Sequence, residues 1–386
     1  MGETVTYFSE VREAIVEMGG KDINLCMQCG TCAGTCPWGR LAEKSPFNIR
    51  KMIYQGLIGG EGFERDDILY ACTTCGHCSV RCPRGVKIVD VVRAMRSVMA
   101  ETGGMPKSLK AVLGSIKSQG NPWSQEREKR TDWAGGLEIK EFAPAAEYLL
   151  FVCCTSAYDG RSQKIARSMV ELLNKAGVSF GIIGSREQCC GETLRKMGAE
   201  REFSELVQEN IRLFKDQGVK KIITTSPHCF QAFQQDYPDF GGKFEVYHYT
   251  QVLNDLVKEG KLSFSKDFIQ RAIYHEPCYL GRHGKIFAEP RELLLAVPGL
   301  ELLEFDKNKK DSLCCGGGGG RIWMETKQGQ RFSDLKVMEA SQKAADILVT
   351  ACPYCVIMLE DSVKGLNKDK EITVKDIGEV LRESLA

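Results

Sequence analysis

The chain contains the run Leu313-Cys314-Cys315-Gly316-Gly317-Gly318-Gly319-Gly320, in which two adjacent cysteines precede five glycines. Adjacent thiols bring two sulfur atoms into one small volume. Glycines remove side chains from the wall beside them, so backbone N–H groups can point inward. Cys278 lies 36 residues before the pair, and Cys352-Pro353-Tyr354-Cys355 begins 37 residues after it. We therefore predict one five-cysteine site for a compact anionic group such as an iron–sulfur cluster, assembled from three separated loops.

From residue 147 onward, strand-like segments alternate with helix-like segments, an order typical of a largely parallel α/β sheet. The predicted strands are 148–152, 178–183, 222–225, 272–274, 301–305 and 347–350. Cysteines follow these strands, at the ends where open α/β sheets bind ligands. Matching cysteines of the two halves are separated by 124 residues (Cys154 to Cys278), 125 (Cys189 to Cys314) and 126 (Cys229 to Cys355). This nearly constant offset predicts a duplicated Rossmann-like α/β unit.

The two halves differ at one predicted ligand, because Ser226 stands where Cys352 stands in the second half. The first half therefore offers these predicted metal ligands: Cys154, Cys189, Cys190 and Cys229. Cys153 is either an additional sulfur or a small buried residue beside Cys154. A serine oxygen is a poorer ligand for iron–sulfur chemistry than a thiolate. We expect the first half to hold an altered cluster or none.

Two further cysteine runs lie in the first hundred residues, Cys26-x-x-Cys29-x-x-Cys32-x-x-x-Cys36-Pro37 and Cys72-x-x-Cys75-x-x-Cys78-x-x-x-Cys82-Pro83. This is the bacterial ferredoxin spacing, in which the fourth cysteine of each run binds the other cluster. We assign two cubane [4Fe–4S] clusters, one to Cys26, Cys29, Cys32 and Cys82, the other to Cys72, Cys75, Cys78 and Cys36. Zinc is the alternative for paired CxxC motifs, but two complete runs are far more specific. His77 is then a neighbour that tunes its cluster.

Helical patterns flank these runs at residues 5–19, 46–54 and 88–99. Ser45 is the predicted cap of the middle helix, with Pro46 at its first position. We therefore expect a mostly helical ferredoxin-type domain. Residues 101–146 are rich in glycine and proline and contain the charge run 126–130. They read as a solvated connector without chemistry.

Composition narrows the function further. The formal net charge of the 386 residues is +1, which gives no basic excess for binding nucleic acid. Eighteen cysteines clustered in a large chain without a secretory signal indicate metal ligands in a reducing cytoplasm. No apolar run reaches the roughly 18–20 residues of a membrane span, so any membrane partner is expected to be another chain. The glycine run lacks the Lys-Ser/Thr of a phosphate loop, so any flavin is expected on a partner.

The chain resembles the D subunit of heterodisulfide reductase, equivalent to the fused C and B subunits, over nearly its whole length. The resemblance rests on the two ferredoxin runs, on the two Cys–CysCysGly–CysxxCys halves, and on the phrases ACTTCGHC (71–78), YHEPC (274–278) and CGGGGGRIWME (315–325). It implies two cubane clusters in a helical domain and non-cubane [4Fe–4S] clusters in five-cysteine (CCG) repeats. In the reductase a disulfide is cleaved between two such clusters. Ser226 departs from this pattern and favours a relative with one intact special site.

The predicted architecture is α plus α/β. It comprises a helical ferredoxin-type domain (1–100), a connector (101–146), a degenerate first CCG repeat (147–265) and a complete second repeat (266–386). We predict that chemistry occurs at the non-cubane cluster of the second repeat, held by Cys278, Cys314, Cys315, Cys352 and Cys355. The backbone of Gly316, Gly317 and Gly318 is expected to supply N–H donors to it. Arg282, His275, His283 and Arg321 flank this site and could orient an anionic substrate, with hydrogen-bonding structural roles as the alternative for the histidines.

Two functions fit these features. One is a heterodisulfide reductase-like subunit that acts on a disulfide or thiol within a larger complex. The other is an electron relay between a flavin-containing partner and another redox module, as in bifurcating, quinone-linked or benzoyl-CoA reductase-type complexes. We expect a cytoplasmic protein, peripheral to a membrane at most, with redox subunits as partners.

Overall fold

The computed structural model describes residues 8–41, 47–60, 67–327 and 329–385. Its N-terminal part is helical, as predicted. The helices there are α1 (Ser9–Ile15), α2 (Thr31–Thr35), α3 (Ile49–Ile58), α4 (His77–Arg81) and α5 (Ile88–Glu101). The short helices α2 and α4 each lie inside one ferredoxin run and pack against each other. This contact brings the two cysteine runs side by side.

Two helix boundaries differ from the predictions. The helix expected over 5–19 leaves α-helical geometry after Ile15, in a wide turn that contains Gly19 with φ of 90°; residues 5–7 lie outside the described residues. Helix α3 begins at Ile49, and the side chain of Asn48 caps it by accepting the Lys51 N–H at 3.1 Å. The predicted cap, Ser45 with Pro46, lies outside the described residues.

Residues 107–134 pack into the protein. Helix α6 spans Lys107–Gln119, and a 3-10 helix spans Arg127–Ala134. Asn121 is fully buried, while Arg130 and Trp133 expose only 2% and 3% of their surface. The prediction of a solvated connector without chemistry is therefore wrong. A buried guanidinium needs partners, and those of Arg130 lie at the first cysteine cluster of the α/β region.

Two four-stranded parallel sheets form the rest of the molecule. The first contains β1 (Tyr148–Phe151), β2 (Phe180–Gly181), β3 (Lys221–Thr224) and β4 (Glu245–His248), in the order β2-β1-β3-β4. The second contains β5 (Gln270–His275), β6 (Leu300–Leu303), β7 (Ile347–Thr350) and β8 (Thr373–Asp376), in the order β6-β5-β7-β8. The identical order confirms the predicted duplication. The sequence reading missed the edge strands β4 and β8.

Helices cover both sheets. They are α7 (Cys154–Tyr158), α8 (Gln163–Lys175), α9 (Glu192–Lys196), α10 (Glu200–Asp216), α11 (Pro227–Gln231), α12 (Tyr249–Lys258), α13 (Glu289–Leu295), α14 (Phe332–Gln342), α15 (Pro353–Gly365) and α16 (Ile377–Glu383). Since both faces are covered, the central strand β7 is buried along its whole length. Among the described residues, no helix combines the length and apolar character needed to cross a membrane.

The two repeats pack with approximate twofold symmetry. Helix α8 of the first repeat contacts α16 of the second, and α12 contacts α13. Each contact pairs a helix that follows the first strand of one repeat with a helix that follows the last strand of the other, as expected of a self-complementary interface. Buried apolar side chains from both repeats, including Leu173 and Val380, fill the space between them. This packing holds the two repeats in one fixed arrangement.

Candidate iron–sulfur centres

The crossed pairing of the ferredoxin runs is visible in the cavities that their cysteines line. One cavity, here called the first cavity, is lined by Cys26, Cys29, Cys32 and Cys82. The other, the second cavity, is lined by Cys72, Cys75, Cys78 and Cys36. Gly30 and Gly76 precede α2 and α4 with φ of 83° and 74°, a conformation that lets the chain turn between the second and third cysteine of each run. The structure thus brings each predicted set of four cysteines together, and their binding of a cluster stays a prediction.

The first cavity has an exposed cysteine, whereas the four cysteines of the second are buried or partly buried. Cys29 is exposed, and its hydrogen bond with Thr31 lowers the pKa of its thiol. The second cavity is closed by Trp38, Phe47 and Phe332, which are all buried. Of the eight ferredoxin-type cysteines, Cys29 is therefore the one most accessible from outside.

His77 lines the second cavity but directs its Nε2 atom toward Asp311, 3.9 Å away. Burial and the charge of Arg282 lower the pKa of His77 to about 4, so the ring is neutral at pH 7. This position agrees with the predicted role as a neighbour of the cluster. A complete set of four cysteines is present without it.

The five predicted cysteines of the second repeat come together, and all are buried. Cys278 Sγ lies 3.8 Å from Cys314 Sγ, and Cys355 Sγ lies 3.3 Å from Cys315 Sγ. The Cys352 thiol also contacts that of Cys355, and the Cys314 thiol contacts that of Cys315. The strand order explains this. Strands β5 and β7 are neighbours at the point where the order reverses, and ligand sites form beyond the carboxyl ends of such strands. We call this cluster the second-repeat site.

The glycine run has two separate roles beside this site. The N–H of Gly316 donates to Cys314 Sγ at 3.3 Å, and the N–H of Gly317 donates to Cys315. Gly318 and Gly319 instead press against the ferredoxin part, because a Cβ atom on either would lie 2.5 Å from a carbonyl oxygen, that of Thr73 or of Cys72. Gly318, predicted as a donor to the cluster, thus lies at the contact with the second-cavity loop.

A Gly318→Ala substitution should therefore destabilise the protein by about 1–3 kcal/mol, the usual cost of overpacking. The added methyl group would force the Cys72–Thr74 loop away from the second-repeat site. Gly114→Ala is the matched control: its Cβ meets no atom within 4 Å, and alanine in a helix is favoured by about 0.5–1 kcal/mol. The apparent unfolding temperatures of the two variants should shift in opposite directions. A Gly318→Ala protein as stable as the parent would contradict the tight contact.

The second cavity and the second-repeat site touch. The Cys75 thiol lies beside that of Cys314, and this neighbour together with burial raises the pKa of the Cys75 thiol well above its ordinary value. Arg282 crosses the contact: its Nε donates to the Cys75 carbonyl at 2.8 Å, and its Nη1 donates to the carbonyl of Ser312. Arg96, fully buried, donates to the carbonyls of Cys72 at 2.6 Å and Gly319 at 3.0 Å. Two buried arginines therefore fix the distance between these sites.

The other residues predicted to flank the second-repeat site have mostly structural contacts. Nε2 of His283 lies 3.0 Å from the Thr74 carbonyl, and Arg321 Nη2 donates to Thr326 Oγ1 at 2.7 Å. His275 is the exception. It is fully buried, and a ring nitrogen lies within 4.8 Å of both Cys315 and Cys355. Burial lowers the pKa of His275 to about 3, so it is neutral beside the sulfur atoms.

The four cysteines predicted for the first half also come together and are buried. Cys154 is hydrogen-bonded to Cys189, and Cys190 to Cys229. The Gly191 N–H donates to Cys189 Sγ at 3.4 Å, as the matching glycine does in the second repeat. Cys153 lies in the same cluster, where its thiol is hydrogen-bonded to Cys229. We call these five residues the first-repeat site.

Arg130 is a site residue that the sequence reading missed. Its Nη1 donates to Cys154 Sγ at 3.3 Å, its Nη2 to the Val152 carbonyl at 2.9 Å, and its Nε to Glu187 Oε1 at 3.1 Å. A positive charge beside a cluster of thiolates is favourable in a buried site. Nothing in the run Glu126-Arg127-Glu128-Lys129-Arg130 distinguishes this arginine from its exposed neighbours.

His228 and Glu192 form a second missed pair, located between the two sites. His228 Nδ1 lies 3.1 Å from Glu192 Oε1, and both side chains are almost fully buried. Burial alone would lower the pKa of His228, but Glu192 and Cys352 raise it to about 10. The same histidine is hydrogen-bonded to Cys352. Burial would raise the pKa of the Cys352 thiol, but Cys355 and His228 together lower it to about 5. A residue of the first repeat therefore contacts the site of the second.

These donor sets suit iron–sulfur clusters. Thiolates are the usual ligands of such clusters, and N–H groups directed at the sulfur atoms offset their negative charge. All eighteen cysteines belong to the described part of the chain, and each is free. A packed apolar core does not need N–H donors directed at its sulfur atoms. Here Gln28 Nε2 donates to Cys26 Sγ at 3.3 Å.

Comparisons with known proteins agree with this arrangement. The family described as 4Fe-4S dicluster domain matches residues 22–86, and the family described as Cysteine-rich domain matches residues 148–234 and 272–360. The chain is 38% identical to "Probable iron-sulfur-binding oxidoreductase FadF" of Bacillus subtilis over 86% of its length, and 35% identical to "EtfAB:quinone oxidoreductase" of Syntrophomonas wolfei over 97%. It spans only 48% and 60% of those two proteins.

A third relative matches end to end. The chain is 30% identical to the D subunit of the dihydromethanophenazine:CoB--CoM heterodisulfide reductase of Methanosarcina barkeri, over 94% of each chain. In this chain the dicluster domain precedes the two cysteine-rich repeats. The chain therefore belongs to the family of iron–sulfur oxidoreductases typified by the D subunit of heterodisulfide reductase.

Proposed function

We propose that this chain is a subunit that takes up electrons at the first cavity and delivers them to the second-repeat site, where a small disulfide or related sulfur compound is reduced. The observation that carries the proposal is the contact between Cys75 and Cys314, which joins the ferredoxin part to the second repeat. Two cubane clusters held by the first and second cavities, and a non-cubane [4Fe–4S] cluster held by the second-repeat site, would supply the one-electron transfers and the sulfur chemistry.

The protein residues would prepare the path for this reaction. Trp38, Phe47 and Phe332 line the second cavity with apolar rings. Arg282 and Arg96 hold the Cys72–Cys75 loop against the glycine run. Since electron transfer weakens steeply with distance, contacts that fix this spacing bear directly on the rate.

The chemistry at the second-repeat site is a two-electron reduction. One S–S bond breaks, two electrons and two protons are taken up, and two thiols form. The electrons come from a reduced donor at the first cavity. His228 keeps a proton beside Cys352, with Glu192 as its buried counter-ion. His228 would thus supply one of the two protons, and the second proton would come from solvent.

A polar cleft of about 700 Å³ supplies a route for the substrate. It lies where the ferredoxin part and both repeats meet, and it reaches Tyr279, the residue after Cys278. The Tyr279 ring stacks on His228 with 4.0 Å between ring centroids. The charged residues that line the cleft are Lys87, Arg93, Arg195, Lys196 and Lys285, with Asp90, Asp236 and Asp239. The excess of positive charge favours an anionic disulfide.

Turnover with an artificial donor tests the proposal. Protein purified without oxygen should oxidise reduced viologen in the presence of an anionic disulfide, with two viologens consumed per disulfide. The alternative is the relay function, which the 35% identity to a protein named EtfAB:quinone oxidoreductase favours. Under that alternative, viologen reduces the protein once without disulfide turnover, and the chain co-purifies with a flavin-containing partner.

Charge removal in the cleft should affect substrate binding alone. A Lys196→Gln substitution is expected to raise KM for an anionic disulfide about fivefold, equivalent to ~1 kcal/mol for one charge in a solvated cleft, with kcat unchanged. Lys164→Gln, on the exposed side of α8, is the control and should leave KM unchanged. Equal KM values for the two variants would place the substrate elsewhere.

A further inference from the structure

Cys153 has no cysteine counterpart in the second repeat, where Pro277 occupies the matching place before Cys278. We propose that Cys153 is the fifth sulfur ligand of the first-repeat site and replaces the ligand that is missing at Ser226. The chain would then hold a fourth cluster, in a ligand arrangement different from that of the second repeat. This inference goes beyond the proposed function, which uses the second-repeat site alone.

The sulfur contacts of the two sites match one by one. Cys154 contacts Cys189 as Cys278 contacts Cys314. Cys190 contacts Cys229 as Cys315 contacts Cys355. In the second repeat the remaining sulfur, that of Cys352, bonds to Cys355.

In the first repeat Cys229 contacts Cys153 in addition to Cys190. Cys229 corresponds to Cys355, so Cys153 makes the contact that Cys352 makes in the second repeat. Its thiol is buried and lies 3.7 Å from Ser156 Oγ, which holds it in the cluster. The first-repeat site therefore has five sulfur atoms, and its contacts reproduce those of the second site.

The backbone around Cys153 differs between the repeats in a way that supports this exchange. The Cys153 N–H donates to Thr225 Oγ1 at 3.2 Å, a buried bond to the residue just before Ser226. The second repeat has Pro277 and Ala351 at these two places. Proline has no N–H and alanine has no hydroxyl, so this bond is specific to the first repeat. It ties Cys153 to the segment that lacks a cysteine.

Ser226 has another task. Its Oγ accepts the N–H of His228 at 3.3 Å and caps helix α11. Serine is a favoured residue at such a position. The Ser226 side chain therefore satisfies a backbone N–H group. This role explains why the position is occupied by a capping residue and not by a cysteine ligand.

The assignment leaves no cysteine unexplained. Eight of the eighteen cysteines line the two ferredoxin cavities, five form the second-repeat site, and the remaining five form the first-repeat site. Arg130, at 3.3 Å from Cys154 Sγ, places positive charge beside the first-repeat thiols. Five buried thiols with such a counter-ion fit an anionic metal cluster.

Iron and acid-labile sulfide per chain, measured on protein purified without oxygen, test the inference. Four four-iron clusters give about 16 iron atoms. Cys153→Ala should lower this value to about 12, whereas Ser226→Ala should keep about 16 because serine is not a ligand. The double variant Cys153→Ala/Ser226→Cys should regain about 16, with the ligand at the place it has in the second repeat.

The result that would overturn the inference is the same iron content in the parent protein and in Cys153→Ala, whether about 12 or about 16 iron atoms per chain. A double variant that stays at about 12 would also count against it. Electron paramagnetic resonance of the ferredoxin clusters in each variant reports whether the chain is folded. If the second-repeat cluster were missing, the proposed function would fail. The difference in iron content between the parent protein and the first-repeat variants would still test the inference.

Discussion

Replacing Cys314 with alanine should reduce viologen-dependent disulfide reduction by more than about 100-fold. Cys314 contacts both Cys278 in its own site and Cys75 in the second cavity. Its loss would remove a ligand and break the contact between the two sites. Residues that only support metal ligands already contribute about 10–100-fold to affinity or activity, so a ligand at the junction should contribute more. Initial rates with saturating viologen measure the effect.

The matched control for this variant is Ser312→Ala. Ser312 is buried two residues away, and its Oγ makes one hydrogen bond, to the Leu313 carbonyl at 3.4 Å. Losing such a bond costs about 1 kcal/mol of stability, and the iron content should not change. If Cys314→Ala kept the turnover of the parent protein, the second-repeat site would not be the place of reduction.

Replacing Arg130 with methionine should lower the free energy of unfolding by about 3–5 kcal/mol, the usual cost of removing one partner of a buried ion pair. Arg130 and Glu187 expose only 3% and 4% of their side chains. Without the guanidinium, the Glu187 carboxyl, the Val152 carbonyl and the Cys154 sulfur all lose a buried donor. The apparent unfolding temperature should fall by roughly 5–10 °C.

Two further variants separate this effect from general damage to the segment. Lys129→Met removes the neighbouring charge, whose ion pair with Glu126 at 3.0 Å is exposed on both sides, so the apparent unfolding temperature should stay at the parent value. Arg130→Met/Glu187→Leu removes both buried charges and should recover part of the lost stability. An Arg130→Met protein as stable as Lys129→Met would show that the buried pair has no net role.

Much of the candidate site was predictable because its motifs are local. In Cys26-x-x-Cys29-x-x-Cys32 the separation of the ligands is set by a few backbone dihedrals, so spacing alone indicates a cluster loop. The nearly constant offset between matching cysteines of the two halves likewise indicated the duplication. The edge strands β4 and β8 were missed: each is only four residues long and only partly buried, so their apolar pattern is weak.

Other features depended on contacts between distant parts of the chain. The charge run 126–130 reads as solvent-exposed, yet its last member is buried at the first-repeat site. The glycine run reads as a cradle for one cluster, yet Gly318 and Gly319 are needed because the Cys72–Thr73 backbone approaches them. Neither the burial of Arg130 nor the close contact at Gly318 and Gly319 leaves a periodic signal in the local sequence.

The sequence by itself determined the class of cofactor and predicted the crossed ferredoxin pairing, because both follow from short-range spacing. It also determined the repeated α/β unit, because the offset between matching cysteines is nearly constant. Only the tertiary structure decided which partners those groups meet. It placed Cys75 against Cys314, Arg130 against Cys154, His228 of one repeat against Cys352 of the other, and Cys153 against Cys229. The physical reason is that these contacts join residues tens to hundreds of positions apart, and packing of the three units, which no local pattern encodes, sets their distances.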